Sequence, residues 1–227
     1  MANRSFGTHD GSFHADEVTA CALLLVFDLI DFNSIVRSRD PEVLQSCEYV
    51  CDVGGIYDPA KKRFDHHQIS YDGDLSSAGM ILMYLEEIGI ISEDLYNYFN
   101  NSAVVGIDAV DNGKESPKIG YCSFSSVIQN YSPIEYGADP EIITKAFLDA
   151  VNFTIGHFQR LRERFAYIQS CKQYVAKLME KQSTYLVFDR SMPWLDSFFS
   201  LHGESHPALF IIMPTGNHWK LRTIPFT

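Results

Sequence analysis

The chain has 227 residues, of which 46% are hydrophobic and 13% aromatic, enough for one large domain or two smaller ones with buried cores. It lacks a signal peptide, a run long enough for a transmembrane helix and paired cysteine spacing, so we expect an intracellular protein, cytoplasmic or in an organelle, without a membrane partner. The net charge of -11 argues against a broadly basic surface for long nucleic acids.

The first half of the chain alternates strand-like and helix-like segments, which is typical of an α/β domain with a mainly parallel sheet flanked by helices. Strands are predicted at "RSFGTH", "SIVRSR" and "YVCDVGG". Helices are predicted from Val18 to Ile30, after Asp40 and Pro41, over "AGMILMYLEEIG" with Ser76 or Ser77 as cap, and over "SEDLYNYFNNSAVVGIDAV". We assign residues 1–138 to this domain.

The second half is predicted to contain connecting helices and a second, smaller α/β domain. Residues 113–139 are rich in Ser, Tyr, Gly and Pro, which indicates a long loop such as a lid. A helical pattern covers residues 139–183, with a break expected at Gly156. The runs "TYLVF", "PWLDSFFSL", "ALFIIM" and "HWKLRTI" assign residues 184–227 to a small domain on the substrate side, either incomplete or naturally short.

Carboxylate and imidazole side chains follow several predicted strands of the first domain. In an open parallel sheet, ligands bind outside the carboxyl ends of the strands. Four separate segments therefore bring metal-binding side chains to one edge of the sheet. The side chains, segment by segment, are His9, His14 and Asp16; Asp52; Asp65, His66 and His67; and Asp108 and Asp111.

This mixture of ligands suits two divalent cations. Imidazole with carboxylate favours manganese, iron(II) or zinc over calcium, which prefers oxygen alone. Residues 1–113 carry 19 acidic and 6 basic side chains, which would repel a phosphate unless cations neutralise them. Asp52 precedes a Gly-Gly turn at the end of a buried strand and is well placed to bridge two cations. Such a pair can clamp a phosphoryl group and activate a water.

Each polar residue also has a simpler interpretation. Asp16 and Glu17 can favour the N-terminus of the following helix. His9 can be an ordinary loop residue, and Asp52 can cap its turn. Asp108 and Asp111 can be the polar end of a helix. The metal site is preferred because all of these residues occur together, in order, at strand ends.

Candidate phosphate-binding residues lie near the same edge. Arg37 and Arg39 lie at the end of a predicted strand and can form paired hydrogen bonds with phosphate oxygens. Ser76 and Ser77 precede a helix whose N-terminus can take a phosphate, or they only cap it. Six basic residues between positions 160 and 181 can follow a phosphate backbone or form a solvated helix face.

Aromatic side chains can stack on the bases of a single-stranded substrate, although most aromatic residues in such a chain belong to a core. A short oligonucleotide or a terminal phosphodiester fits the charge better than a long duplex. The candidates for stacking are Tyr121, Phe124, Tyr131, Tyr136, Trp194 and Trp219.

The ordered motifs resemble those of a known family. The spacing of His9, His14 and Asp16, with an Asp-His-His triplet after Asp52, resembles the DHH phosphoesterase superfamily, whose first motif is usually His-x4-Asp-x-Asp. The stretches "GTHDGSFHADE", "DVGGIYDP", "SSAGMILMY", "IDAVDNG" and "HWKLRTIP" resemble one branch of it, the melanocyte-proliferating-gene-one family of metal-dependent hydrolases, through most of the chain.

The resemblance implies a set of metal ligands. His9, His14 and Asp16 would be divided between two metals, Asp52 would bridge them, and His66 would be a further ligand. His14 replaces the usual aspartate, which removes one negative charge and would shift the metal preference toward zinc or iron.

The resemblance also implies roles for the neighbouring residues. His67 would face the phosphate as a cationic partner, and Asp65 would orient its neighbours from outside the ligand set. The fourth motif would supply one more bridging aspartate, for which Asp108 is preferred over Asp111.

The activity that the resemblance implies is 3′–5′ exonucleolytic cleavage of RNA or short oligonucleotides with two divalent ions, most often Mn²⁺. Two alternatives stay open: a hydrolase of pyrophosphate or a nucleotide, and a metal-dependent binding protein without activity. The apolar, aromatic second half would also allow a homodimer.

Overall fold

The computed structural model describes residues 4–69, 71–116, 118–135 and 137–225. The chain divides into two compact units, the first ending at Leu161 and the second beginning at Arg162. A long helix, Pro140–Met179, contributes residues to both units.

The first unit is built from short strands and from helices of five to twelve residues, apart from the long helix. The strands are β1 (Phe6–Thr8), β2 (Ile35–Arg37), β3 (Tyr49–Cys51), β4 (Tyr57–Asp58) and β5 (Arg63–Phe64). The helices are α1 (Ala15–Val26), α2 (Pro41–Gln45), α3 (Ser77–Glu87), α4 (Glu93–Phe99), α5 (Val105–Asp111), α6 (Phe124–Gln129) and α7 (Pro140–Met179).

The strands form one mainly parallel sheet in the order β2-β1-β3-β5-β4. Strands β1, β2, β3 and β5 are parallel, and β4 pairs antiparallel with β5. The strand order reverses at β1, which has β2 on one side and β3 on the other. Open α/β sheets bind ligands beyond the carboxyl ends of their strands at this point. The residues that follow β1 and β3 are therefore the first place to look for a site.

Helix α1 is the central helix of the first unit and packs against α3. It is apolar on nearly all sides, and eleven of its twelve residues are buried. Asp16 and Glu17 in its first turn are fully buried as well. Burying a carboxylate costs free energy unless it gains a hydrogen bond or a cation, so these two side chains require partners.

The second unit has a small three-stranded sheet with its own core. Its elements after α7 are β6 (Tyr185–Val187), α8 (Leu195–Ser200), β7 (Phe210–Thr215) and β8 (His218–Thr223). Strand β6 is parallel to β7, and β7 and β8 form an antiparallel hairpin. The core includes Cys171, Val175, Met179, Leu186, Phe188, Met192, Trp194, Phe198, Ala208, Ile211 and Met213.

The predicted fold class is confirmed, since a mainly parallel sheet flanked by helices is followed by a second, smaller sheet. The loop predicted for residues 113–139 contains α6, whose cap Ser123 accepts a hydrogen bond from the Ser126 N–H at 3.1 Å. The break expected at Gly156 is also wrong. Helix α7 continues through Gly156. A glycine lowers the stability of a helix by less than the burial of nearby Thr154 and Phe158 raises it. The domain limits at residues 138 and 183 stay predictions.

Among the described helices, none combines the length and the apolar character that crossing a bilayer requires.

Candidate metal centre

The polar residues at the strand ends of the first unit converge on Asp52. This residue directly follows β3 and is buried, with a φ of 58° in the left-handed region. Non-glycine residues adopt this conformation rarely and often at functional sites. Its Oδ2 lies 3.1 Å from His9 Nε2, and its Oδ1 lies 3.4 Å from His66 Nε2 and 3.2 Å from His67 Nδ1. Three imidazoles from two other strand ends therefore contact one carboxylate.

The described residues form three overlapping groups with the chemistry and spacing of metal ligands. In each group, one ligand atom from every residue lies within 4.8 Å of the others. Asp16, Asp52 and His66 each belong to two groups, so a cation bound in one would share ligands with the next. The groups are Asp52, His66 and His67; His14, Asp16, Glu17 and Asp52; and Asp16, His66 and Asp111.

Several atoms at the centre of these groups are buried without a hydrogen-bond partner in the described part of the chain. They are both carboxylate oxygens of Asp16, Oδ1 of Asp52 and Nε2 of His66. Buried polar atoms nearly always have a partner, and these three carboxylate oxygens and one imidazole nitrogen have the chemistry and spacing of ligands to a cation. The residues present therefore fit the divalent metals that the ligand chemistry favours.

The electrostatics of the cluster are those of crowded carboxylates. Burial, followed by the neighbouring carboxylates of Glu17, Asp52 and Asp111, raises the pKa of Asp16 well above its usual range. Like charges held this close disfavour ionisation of each other. A divalent cation would stabilise the ionised form of all of them.

The pKa values of the imidazoles are raised as well, which for a histidine favours the charged form. Burial acts to lower the pKa of His9, but hydrogen bonds to Asp52 and Glu17 outweigh it and raise the pKa to about 10. Burial likewise opposes the contacts of His66 with Asp111 and Asp52, which raise its pKa to about 10. Positive charge is thus strongly favoured at these positions, from a proton or from a metal.

His66 is oriented by Asn112, a residue that the sequence did not single out. The Oδ1 of Asn112 lies 3.2 Å from His66 Nδ1, and its Nδ2 donates to the backbone oxygens of Asp74 and Asp108 at 3.0 Å each. The fixed amide directs the other ring nitrogen, Nε2, toward Asp52 and Asp111. Such outer contacts fix the ring and tune its basicity in metal sites.

Glu17 is the second residue that sequence reasoning missed as part of the site. It was interpreted only as favourable charge at the start of α1. Its Oε1 lies 3.2 Å from His9 Nε2, and both oxygens accept from the His14 N–H, at 2.9 and 3.0 Å. The available signal was its position: two adjacent acidic residues open a helix that is otherwise almost entirely apolar.

Asp65 links the Gly-Gly turn to His67. Its Oδ2 accepts from the Gly55 N–H at 2.5 Å, and its Oδ1 accepts from the His67 N–H at 3.0 Å. The same oxygen lies 2.9 Å from His67 Nδ1. The His67 side chain is nevertheless 63% exposed. Asp65 is therefore an orienting residue, and His67 extends from the centre toward solvent.

The two aspartates of α5 have different environments. Asp111 Oδ2 lies 3.1 Å from His66 Nε2 and belongs to one of the ligand groups. Asp108 Oδ1 instead accepts from the Ser76 N–H, the Ser76 hydroxyl and the Gly79 N–H, at 3.1, 2.6 and 3.1 Å. The preference for Asp108 as ligand thus differs from the structure, in which its carboxylate binds the start of α3 and Asp111 faces the imidazole.

This contact leaves no room for a side chain at Gly79. A Cβ there would lie 2.2 Å from Asp108 Oδ2. We expect Gly79→Ala to destabilise the protein by about 1–3 kcal/mol, because the buried carboxylate must move and weaken its hydrogen bonds. Urea unfolding checks this, with Gly106→Ala as control.

A Cβ at Gly106 would have no described atom within 4 Å, so its alanine variant should be stabilised by about 0.5–1 kcal/mol. Equal unfolding midpoints for the two alanine variants would contradict the tight contact between α3 and α5.

The serines predicted to bind phosphate are placed inside the protein. Ser76 and Ser77 are fully buried, and their hydroxyls donate to Asp108 Oδ1 and to the Phe64 carbonyl at 2.8 Å. They join α3 to α5 and β5. The proposed phosphate contact by these two residues is therefore not supported, because both hydroxyls and the Ser76 N–H are already engaged.

Arg37 anchors the loop between β1 and α1. Its Nη2 donates to the Gly11 carbonyl at 2.6 Å, and its guanidinium carbon lies 5.7 Å from the Phe13 ring centre and 4.8 Å from that of Phe147. Burial lowers its pKa. Arg37 therefore stabilises the loop that carries two histidines of the centre.

Arg39 lies in the open part of the site. It is largely exposed and pairs with Asp10 at 3.3 Å. It lines a cleft of about 730 Å³ together with His14, Asp52 and His67. The cleft gives solvent access to the metal-binding cluster, and its described lining residues include Arg39 beside His9, His14 and His67.

The aromatic candidates are placed differently from one another. Phe124 and Tyr131 pack against Phe153, with ring centres 6.1 and 5.7 Å apart. Trp194 is buried in the core of the second unit, and Trp219 is 62% exposed on β8. Tyr121 is 82% exposed, whereas Tyr136 lies outside the described residues.

Comparison with known proteins gives a consistent family. The family model MYG1_exonuc, described as uncharacterised protein family UPF0160, matches residues 5–227. The MYG1 protein of Chlamydia trachomatis is 55% identical over 224 residues, covering 99% of this chain and 76% of that protein. The MYG1 protein of Dictyostelium discoideum is 32% identical over 260 residues, covering 99% and 79%.

A human relative carries a functional name. The MYG1 exonuclease of Homo sapiens is 42% identical over 137 residues, covering 50% of this chain and 36% of the human protein. No solved structure matches the chain.

Proposed function

The chain belongs to the MYG1_exonuc family, and we propose that it is a two-metal phosphodiesterase that removes nucleotides from the 3′ end of RNA or short oligonucleotides. The observation that carries this proposal is the group of orphaned, buried acceptors shared between three ligand sets beside an open cleft. The name exonuclease, given to the human relative, supports the same class of reaction.

We also propose that the fold is that of the DHH phosphoesterase superfamily. The sequence Asp65-His66-His67 follows β5, and the His-x4-His-x-Asp element connects β1 to α1. Both elements reach the carboxyl edge of the sheet at its switch point, where two-metal hydrolysis would take place. The histidine at position 14 retains a ligand type while lowering the negative charge.

The metals would be held by residues that the structure brings together. Asp52 would bridge, because it belongs to two ligand groups and contacts three imidazoles. Asp16 and His66 are likewise shared, and Asp111 completes the group on the α5 side. Two divalent ions, most often Mn²⁺ with Zn²⁺ or Fe²⁺ as alternatives, supply charge neutralisation for the phosphoryl group and lower the pKa of an attacking water.

The exposed side of the centre would bind the phosphate. Contacts with Asp52 and Asp65 raise the pKa of His67 to about 9, although burial opposes them, so the imidazole is cationic at neutral pH. Its Nδ1 is held by these carboxylates, which leaves Nε2 for a phosphate oxygen. Arg39, across the same cleft, would supply a second positive charge. Both residues would stabilise charge that develops on the transferring phosphoryl group.

A single turnover experiment tests the proposal. With Mn²⁺, the protein should release mononucleotides from a 5′-labelled single-stranded RNA in a ladder that shortens from the 3′ end. His66→Ala should abolish release, because it removes a ligand shared by two groups. Asn97→Ala, on an exposed side chain of α4, is the control and should retain full activity.

Two other results would overturn the nuclease proposal. Hydrolysis of pyrophosphate much faster than any oligonucleotide would indicate a small-phosphate hydrolase. Binding of metal without hydrolysis of either substrate would indicate a binding protein.

A further inference from the structure

A second cavity lies along α5, the helix that carries Asp111, and is not used by the proposed chemistry. It has a volume of about 520 Å³ and lies between α5, α6 and the segment that precedes α6. Small-molecule sites typically have volumes of roughly 300–1,000 Å³. This cavity is therefore large enough for a nucleoside.

The cavity shares lining residues with a smaller space that reaches the metal centre. A smaller space of about 250 Å³ is bordered by His14 and Asp111 at one end. Val110, Ser125 and Gln129 border both this space and the larger cavity. His14 also borders the cleft that contains Asp52 and His67. Shared lining residues thus connect the metal-binding cluster, through His14 and the smaller space, to the cavity along α6.

The lining of the cavity suits a flat, uncharged group. Its floor includes Val105 and Val110, and Tyr121 at its rim is 82% exposed. Lys118 and Glu115, the charged side chains among the described lining residues, pair with each other at 3.0 Å. A phosphate therefore finds no free cation here, while an aromatic base can stack on Tyr121.

Hydrogen-bonding groups stand at the junction of the two spaces. The side chains of Ser125 and Gln129 border both, and neither makes a side-chain hydrogen bond within the described ranges. A glutamine amide offers a donor and an acceptor in one plane, the arrangement that pairs with the edge of a base. These groups are available to a ligand because the protein does not use them.

We infer that the cavity between α5 and α6 binds the nucleobase of the nucleotide adjacent to the scissile phosphate, with Tyr121 as stacking surface and Gln129 and Ser125 as hydrogen-bonding partners. This inference rests on the proposed function, since it takes the metal centre as the position of the phosphate. A base bound in this cavity would make the enzyme prefer substrates that carry a base over simple phosphodiesters. It would also favour single strands over duplexes, because the bases of a duplex are stacked and paired.

Gly106 provides a direct test. It lines the cavity, is exposed on α5, and a Cβ there would have no described atom within 4 Å. Gly106→Phe should therefore fold and fill the cavity. We expect the ratio of kcat/KM for a short single-stranded RNA to that for bis(p-nitrophenyl) phosphate to fall by roughly tenfold or more. Gly156→Phe, at an exposed helical glycine with similarly open surroundings, is the matched control and should leave the ratio unchanged.

The outcomes separate this inference from the proposed function. A ratio within threefold of the wild type in Gly106→Phe would overturn the base-binding cavity and leave the phosphodiesterase intact. If the wild type hydrolyses neither substrate, the proposed function fails. An NMR titration with AMP in EDTA then decides the inference alone: affinity that is tenfold weaker in Gly106→Phe supports it, and unchanged affinity overturns it.

Discussion

Replacing Asp52 by asparagine is expected to lower Mn²⁺-dependent hydrolysis by roughly three orders of magnitude and to remove at least one of two Mn²⁺ sites seen by calorimetry. The carboxylate belongs to two ligand groups and contacts His9, His66 and His67. A bound pair of cations contributes several kcal/mol of transition-state stabilisation, and roughly 4 kcal/mol corresponds to a thousandfold in rate. The amide keeps the size of the side chain but loses the charge that would hold two cations together.

The backbone conformation at position 52 allows this substitution without strain. Asp52 has a φ of 58°, a conformation that asparagine adopts as readily as aspartate. Asp28 has the same φ of 58° but lies on the surface, where it pairs with Arg4. Asp28→Asn is therefore the matched control and should retain both sites and full turnover. Two intact sites in Asp52→Asn would show that the residue does not bridge metals.

The sequence was informative about this centre because the motifs are local. His9, Asp52 and the 65–67 triplet each follow a strand directly, and parallel strands bring their carboxyl ends to one edge. Strand order alone then brings these residues together. The spacing of ligands along the chain was sufficient to predict which segments meet, without any knowledge of side-chain direction.

The remaining details depend on packing that no local pattern encodes. The residues of α5 follow a π-helical segment, Asn100–Val104, which adds a residue to the turn and changes the direction that later side chains take. The choice between Asp108 and Asp111 depends on this direction. Ser76, one of the two serines predicted as the cap of α3, occupies that position, but its hydroxyl contacts Asp108 on another helix. The sequence did not predict Glu17 as part of the site for a similar reason. Its capping of α1 can be predicted from the sequence, whereas its contact with His9 depends on tertiary packing.

The same alanine substitution at Asp111 and at Asp108 is expected to separate metal binding from stability. Asp111→Ala should weaken Mn²⁺ binding and lower turnover by at least about a hundredfold, because one ligand group loses a carboxylate. Its free energy of unfolding should change by less than about 1 kcal/mol, since the lost contact with His66 is offset by relief of repulsion with Asp16. Calorimetry with Mn²⁺ and urea unfolding in EDTA measure the two effects separately.

Asp108→Ala should show the reverse pattern. Its Oδ1 accepts from two groups of Ser76 and one of Gly79, all buried. Leaving these donors without an acceptor costs about 2–4 kcal/mol of unfolding free energy. The fraction that remains folded should still bind two Mn²⁺ ions per chain, because the carboxylate is in none of the ligand groups found among the described residues. If Asp108→Ala instead keeps its stability and loses a metal site, Asp108 is the bridging ligand and the orientation of α5 must change when metal binds.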